Sequence, residues 1–204
     1  MRPLSKREIT GVSLILAFIF LISFFNFGVS IRKSRDAQRK GDLGAISRAL
    51  EKYHDDFGFF PPATGDGKIL ACPKDDFDEI ASKAVMPTGL DMEKYFEAFV
   101  GCVWGEDKLI DPQDKDHPPY INPLPKDPKD NVIRYLYFSN TKRFQIFAYL
   151  EGEHQEDGYS ESIAGRNLSC GDAICNFGRS FGETPLDITI EEYEIKLIEE
   201  MKEY

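Results

Sequence analysis

From Val12 to Ile31 the chain reads VSLILAFIFLISFFNFGVSI, a stretch with no charge and apolar side chains on every helical face. Beyond it the pattern turns one-sided. Leu43, Ile46, Leu50, Tyr53 and Phe57 recur at steps of three and four, which sets them in a single stripe on a helix. Arg48, Glu51, Lys52 and Asp55 fall between them and are expected to face solvent. Gly58 suits the residue just past a helix C-terminus, and Pro61–Pro62 forbids continuation. The spacing therefore predicts one helix over Val12–Phe57, ~70 Å long at ~1.5 Å per residue. Gly41 and Gly44 mark either a bend or a close contact.

After this helix the pattern becomes irregular. Short helices are predicted over Phe77–Val85 and Asp91–Val103. For the second, Thr88 is a candidate N-cap and Leu90, Phe96, Phe99, Val100 and Val103 are core candidates. Asp111–Asp130 holds six prolines and reads as a surface connection. Val132–Ser139 and Arg143–Glu151 are rich in β-branched and aromatic residues, and the polar turn Asn140–Lys142 between them predicts an antiparallel hairpin. Both its faces are apolar: one is expected over the helix stripe, the other against loops or a partner. Ser160–Phe181 is a Gly/Ser/Asn-rich region with room for one short strand. A last helix is predicted over Thr189–Tyr204, with Thr189 and Glu192 forming a capping box. The fold class is α+β: a long N-terminal helix, transmembrane and then amphipathic, on a small antiparallel β-sheet head.

An uncharged helix of this length matches the ~30 Å hydrocarbon core of a bilayer. The expected division is a leader over 1–11, a transmembrane helix over 12–31, an amphipathic extension over 32–60 and an extracytoplasmic globular head over 61–204. A cleaved signal peptide fits less well, because the apolar run is too long and is followed by VSIRKSRD rather than a small-x-small site.

Charge sharpens this picture. The 204-residue chain has a net charge of −10, divided as +6 over residues 1–40 and −16 over the rest. So acidic a head repels phosphates, and no nucleic-acid partner is expected. The collar Arg32, Lys33, Arg35, Arg39 and Lys40 reads either as a contact for anionic headgroups of the lipid bilayer or as a solvated stop. Counting Lys and Arg slightly favours a cytoplasmic head; the cysteines argue the opposite. Cys72, Cys102, Cys170 and Cys175 allow three pairings. Cys170–Cys175 closes a tight loop and leaves Cys72–Cys102; four reduced thiols in a cytoplasmic domain are the alternative.

The order of these pieces resembles the type IV pilin and type II secretion pseudopilin family. Gly11-Val12-Ser13-Leu14-Ile15-Leu16 aligns with the prepilin motif. Ser34–Lys40 through Ala49–Tyr53, and Phe57-Gly58-Phe59-Phe60-Pro61, resemble the helix beyond the apolar run and its exit. Leu124-Pro125-Lys126-Asp127-Pro128 resembles the segment before the hairpin in major pseudopilins. The resemblance implies a structural subunit of a type IV pilus or type II secretion filament. Its partners would be a prepilin peptidase, which cuts after Gly11, and other pilin or pseudopilin subunits. The new N-terminus at Val12 would be a methylation site. The implied location is the inner or plasma membrane, single-pass, with the C-terminal head extracytoplasmic, then the filament or cell surface. The family places a glutamate where this chain has Leu16, a departure that suits a minor subunit better than a repeating one. The alternative function is a single-pass, membrane-tethered extracytoplasmic binding or sensor domain.

Little points to catalysis. His54, His117 and His154 are not in metal spacing, and no phosphate loop or nucleophile elbow is present. No enzyme activity, catalytic residue, metal or cofactor is expected. Major pseudopilins hold calcium in a loop after the hairpin. The matching Glu151–Glu161 is acidic (Glu151, Glu153, Glu156, Asp157, Glu161), with a spacing that fits no motif.

Overall fold

The computed structural model describes residues 5–86, 89–114, 116–152 and 158–202, apart from the side chains of 6, 22–26, 86 and 89. One helix, α1 (Lys6–Phe57), runs through the whole N-terminal part. It starts within the expected leader. Ser5 caps it, accepting from the Glu8 amide, while the Glu8 carboxylate takes the Ser5 amide at 2.7 Å. It ends at Gly58, whose left-handed φ of 76° returns its amide to the His54 carbonyl. Gly44 marks a close contact rather than a bend: a Cβ there would touch the Arg48 and Arg179 side chains.

The head follows as β1 (Leu70–Pro73), α2 (Phe77–Ala84), β2 (Val85–Met86), β3 (Gly89–Leu90), α3 (Met92–Phe96), β4 (Phe99–Gly101), β5 (Leu136–Ser139), β6 (Phe144–Ala148), α4 (Glu161–Gly165), β7 (Phe177–Ser180) and α5 (Ile190–Lys202). It is mixed α+β. The largest sheet is three-stranded and antiparallel in the order β5-β6-β7, with Leu136 opposite Phe147 and Ala148 opposite Phe177.

The predicted hairpin is present, and β6 is buried along its whole length. One face of the sheet covers α1, where Leu43, Ile46, Leu50 and Tyr53 join Phe60, Tyr137, Phe144 and Ile146 in the main core. The other face meets loops: Leu136 and Phe147 pack with Ile163 and the Cys170–Cys175 pair. The second disulfide joins Cys72 to Cys102.

Three local expectations need correction. The helix predicted over Asp91–Val103 stops at Phe96, because the next residues pair with β1 as strand β4 beside the Cys72–Cys102 bond. Asp91 is its observed cap, accepting from the Lys94 amide; Thr88 lies outside the described residues. Leu90, Val100 and Val103 are exposed, and Tyr95 and Ala98 are buried with Phe99 instead. The proline-rich Asp111–Asp130 is not only a surface connection, since it places Leu124 in the core and buries Asp127. His54, which falls outside the stripe Leu50, Tyr53 and Phe57 and so on the side expected to face solvent, is half-buried and stacks on Phe60 at 4.5 Å.

The transmembrane expectation is also overturned: among the described residues no helix is long and apolar enough to cross a membrane. Within α1 the uninterrupted uncharged stretch of described side chains is Ile9–Leu21, ~20 Å of helix against a ~30 Å core. From Phe27 onward charges return within a turn and a half, beginning at Arg32. The assignment to a single-pass inner-membrane protein with an extracytoplasmic head is therefore withdrawn.

Candidate functional site

Two features of α1 stand out against the conventional core of the head. The first is the stretch that the head leaves uncovered. Val12, Leu14, Ile15, Leu16, Phe18, Ile19, Leu21, Phe27, Val29 and Ile31 are each 40% or more exposed. Full burial of a large apolar side chain is worth roughly 1.5–3 kcal/mol. About 10–20 kcal/mol of apolar driving force is thus left unused on this stretch, and contiguous surfaces of that kind mark interaction sites. Gly11 and Val12 lie on it in continuous helix, with open space where a Gly11 Cβ would sit. Leu16 is exposed among them. The side chain of Asn26 is outside the described residues.

The second feature is the neck, where α1 meets the head. The phase of the buried stripe carries back from Leu43 to Arg39 and from there to Asp36 and Arg35. Arg39 is completely buried. Its guanidinium grips Asp127 with two bonds, Nε to Oδ2 at 2.7 Å and Nη2 to Oδ1 at 3.0 Å. Its Nη1 donates to Asp36 at 2.8 Å and to Glu151 at 2.9 Å. Arg35 forms a second fork on Glu151, at 2.7 and 2.6 Å. Lys129 Nζ reaches the same carboxylate at 2.7 Å, and the Glu151 amide donates to Asp36. Paired bonds of this kind fix a direction as well as a distance.

The electrostatics follow from this geometry. The Arg35 fork holds the Glu151 carboxyl far below the usual glutamate range; burial opposes this, and Lys129 and Arg39 reinforce it. Burial works against the Arg39 charge, but the bonds from Asp127, Glu151 and Asp36 more than restore it, so its pKa is raised. Next along the helix, burial raises the Asp42 pKa although the Tyr135 hydroxyl donates to it at 2.7 Å. Tyr135 in turn lies edge-on to Trp104 at 5.9 Å.

Two sequence readings change here. The basic collar is not a uniform belt, because Arg35 and Arg39 turn inward to the head while Lys33 stays exposed. Glu151, the first residue of the acidic stretch compared with a calcium loop, is engaged by three cations. Glu153, His154, Glu156 and Asp157 lie outside the described residues. Sequence reasoning missed the neck although its signal was present: Arg39 is four residues before Leu43, on the buried face.

The four cysteines lie in the head, Cys102, Cys170 and Cys175 fully buried and Cys72 nearly so. Comparison with known proteins adds no relative: no family model matches the chain, and neither a curated protein nor a solved structure does.

Proposed function

We propose that this chain is a structural subunit of a helical filament of the pilin or pseudopilin type, processed after Gly11 by a prepilin peptidase. The observation that carries the reading is the uncovered apolar half of α1, joined without a break to a helix seated in the head. In water such a rod is stable only when buried, and identical or related rods bundled side by side bury one another. The head then forms the outer surface, with its bearing fixed by the Arg39–Asp127 neck. The family likeness of Gly11–Leu16 and of Leu124–Pro128 supports the same reading.

The test is the N-terminal residue of the protein recovered from its own cells, read by mass spectrometry. A chain beginning at Val12 within filaments is the expected result. Gly11→Lys has open space for its side chain and leaves the fold intact, so its expected effect is loss of processing and of assembly. Uncut, monomeric protein in cells, or normal filaments from Gly11→Lys, would overturn the reading.

A further inference from the structure

The C-terminal helix α5 presents a second uncovered surface. Its first turns are tied to the head: Ile190 is buried, Glu194 pairs with Arg143 at 2.7 Å, and the Arg143 guanidinium lies 5.0 Å over the Tyr193 ring. Beyond them Ile195, Ile198 and Met201 are exposed at steps of three. Glu191, Glu192, Glu199 and Glu200 are exposed around this strip against two lysines, Lys196 and Lys202.

An apolar strip framed by carboxylates needs an apolar partner framed by cations. Burying those acids against the uncharged rod Val12–Leu21 leaves them desolvated and unpaired. Within the part of α1 that processing retains, exposed apolar side chains come within a turn of an exposed cation at Phe27–Lys33, where Phe27, Val29 and Ile31 lead to Lys33. The lengths agree: Ile195–Met201 and Phe27–Lys33 each span ~9 Å of helix.

The helix cannot reach its own neck. Arg143 is in the turn whose Thr141 carbonyl takes the Phe60 amide, and Phe60 stacks on His54, so α5 is anchored at the far end of α1. His54 is ~30 Å along the helix from Lys33, whereas the part of α5 beyond Glu194 extends only ~12 Å. We propose that the exposed strip Ile195–Met201 of one copy docks on Phe27–Lys33 of a second copy. This contact, which rests on the filament reading above, sets the axial stagger between subunits.

The test uses the full chain processed to Val12. One population carries Ile198→Cys and the other Ile31→Cys; the two are mixed, assembled and treated with a short bis-maleimide. A covalent dimer is expected from this mixture, and none from Ile198→Cys mixed with Val85→Cys, a position exposed on the β2–β3 hairpin. Glu199→Lys/Glu200→Lys is expected to lower dimer yield at least fivefold, with recovery when the second population also carries Lys33→Glu. Assembly seen by sedimentation without the dimer, or equal yield from the Val85 control, overturns the docking and leaves the filament reading standing. Absence of any assembly overturns both.

Discussion

Removal of the Asp127 carboxylate tests the neck most directly. Asp127→Ala leaves the Arg39 guanidinium in a site with no solvent access and takes away two of its four hydrogen bonds. Breaking a buried ion pair from one side costs about 3–5 kcal/mol. Nη1 keeps Asp36 and Glu151, so the expected loss is at the lower end, about 3 kcal/mol. Were Arg39 a solvated collar residue, the same change would cost below about 1 kcal/mol. Arg39→Met is expected to lose a similar amount, because among the described residues it leaves Asp127 with the Lys129 amide at 2.8 Å as its remaining donor. Arg39→Met/Asp127→Leu removes both charges and fills the site, so it should lose less than the two singles together by about 2 kcal/mol or more. Urea unfolding followed by Trp104 fluorescence reads this directly, since Trp104 abuts Tyr135, whose hydroxyl bonds to Asp42 on α1. Strict additivity of the two singles would refute the pairing.

Three further outcomes are expected. Gly41→Ala, mid-helix with open space at its Cβ, should stabilise by about 0.5–1 kcal/mol. By contrast, Gly171→Ala should destabilise by about 1–3 kcal/mol, because Gly171 sits at φ +90° with the Val132 carbonyl where a Cβ would go; urea midpoints check both signs. Acid should weaken the neck through Glu151: its folded pKa lies below the ordinary 4.5, so its contribution is complete above about pH 4.5 and is lost as pH falls from there toward the folded value. Asp42 has the opposite sign, its raised pKa making protonation favourable to the fold. Glu151→Gln is therefore expected to be less stable at pH 7 and to lose less between pH 4.5 and 3, and parallel stability profiles for the two proteins would contradict the assignment.

Much of this fold was legible wherever structure follows from local periodicity. The stripe Leu43–Tyr53, the Gly58 terminus, the β5–β6 hairpin and the Thr189–Glu192 capping box each rest on residues a few positions apart. What escaped depends on distant partners. The stretch Phe99–Gly101 has acceptable helical spacing, and only its pairing with Leu70–Pro73 makes it a strand. Arg39 looks like any collar cation until Asp127, 88 residues away, closes over it. The uncovered rod was legible as an apolar helix; its assignment to a bilayer went beyond what its described side chains support.

The chemistry of α1 changes along its length, and the order of the changes explains why the neck is ionic. From Leu43 onward the buried face is aliphatic and aromatic, and between Ile9 and Ile31 the described exposed side chains are uncharged and mostly apolar. An apolar neck would join these into one continuous surface. Leucines and isoleucines fill similar holes one turn apart, so the head could then slip along the rod by ~5.4 Å at little cost. A guanidinium held by Asp127 on one edge and by Asp36 and Glu151 on the other fits its native register, because a one-turn slip breaks the paired bonds of Arg39 to Asp127 and of Arg35 to Glu151 and keeps only Asp36–Arg39 within the helix and Lys129–Glu151 within the head. Well-packed apolar replacements at Arg39 and Asp127 can match the stability of the native neck. The ionic neck therefore contributes chiefly a fixed position of the head on its helix, which a subunit placed by its helix and read by its head requires.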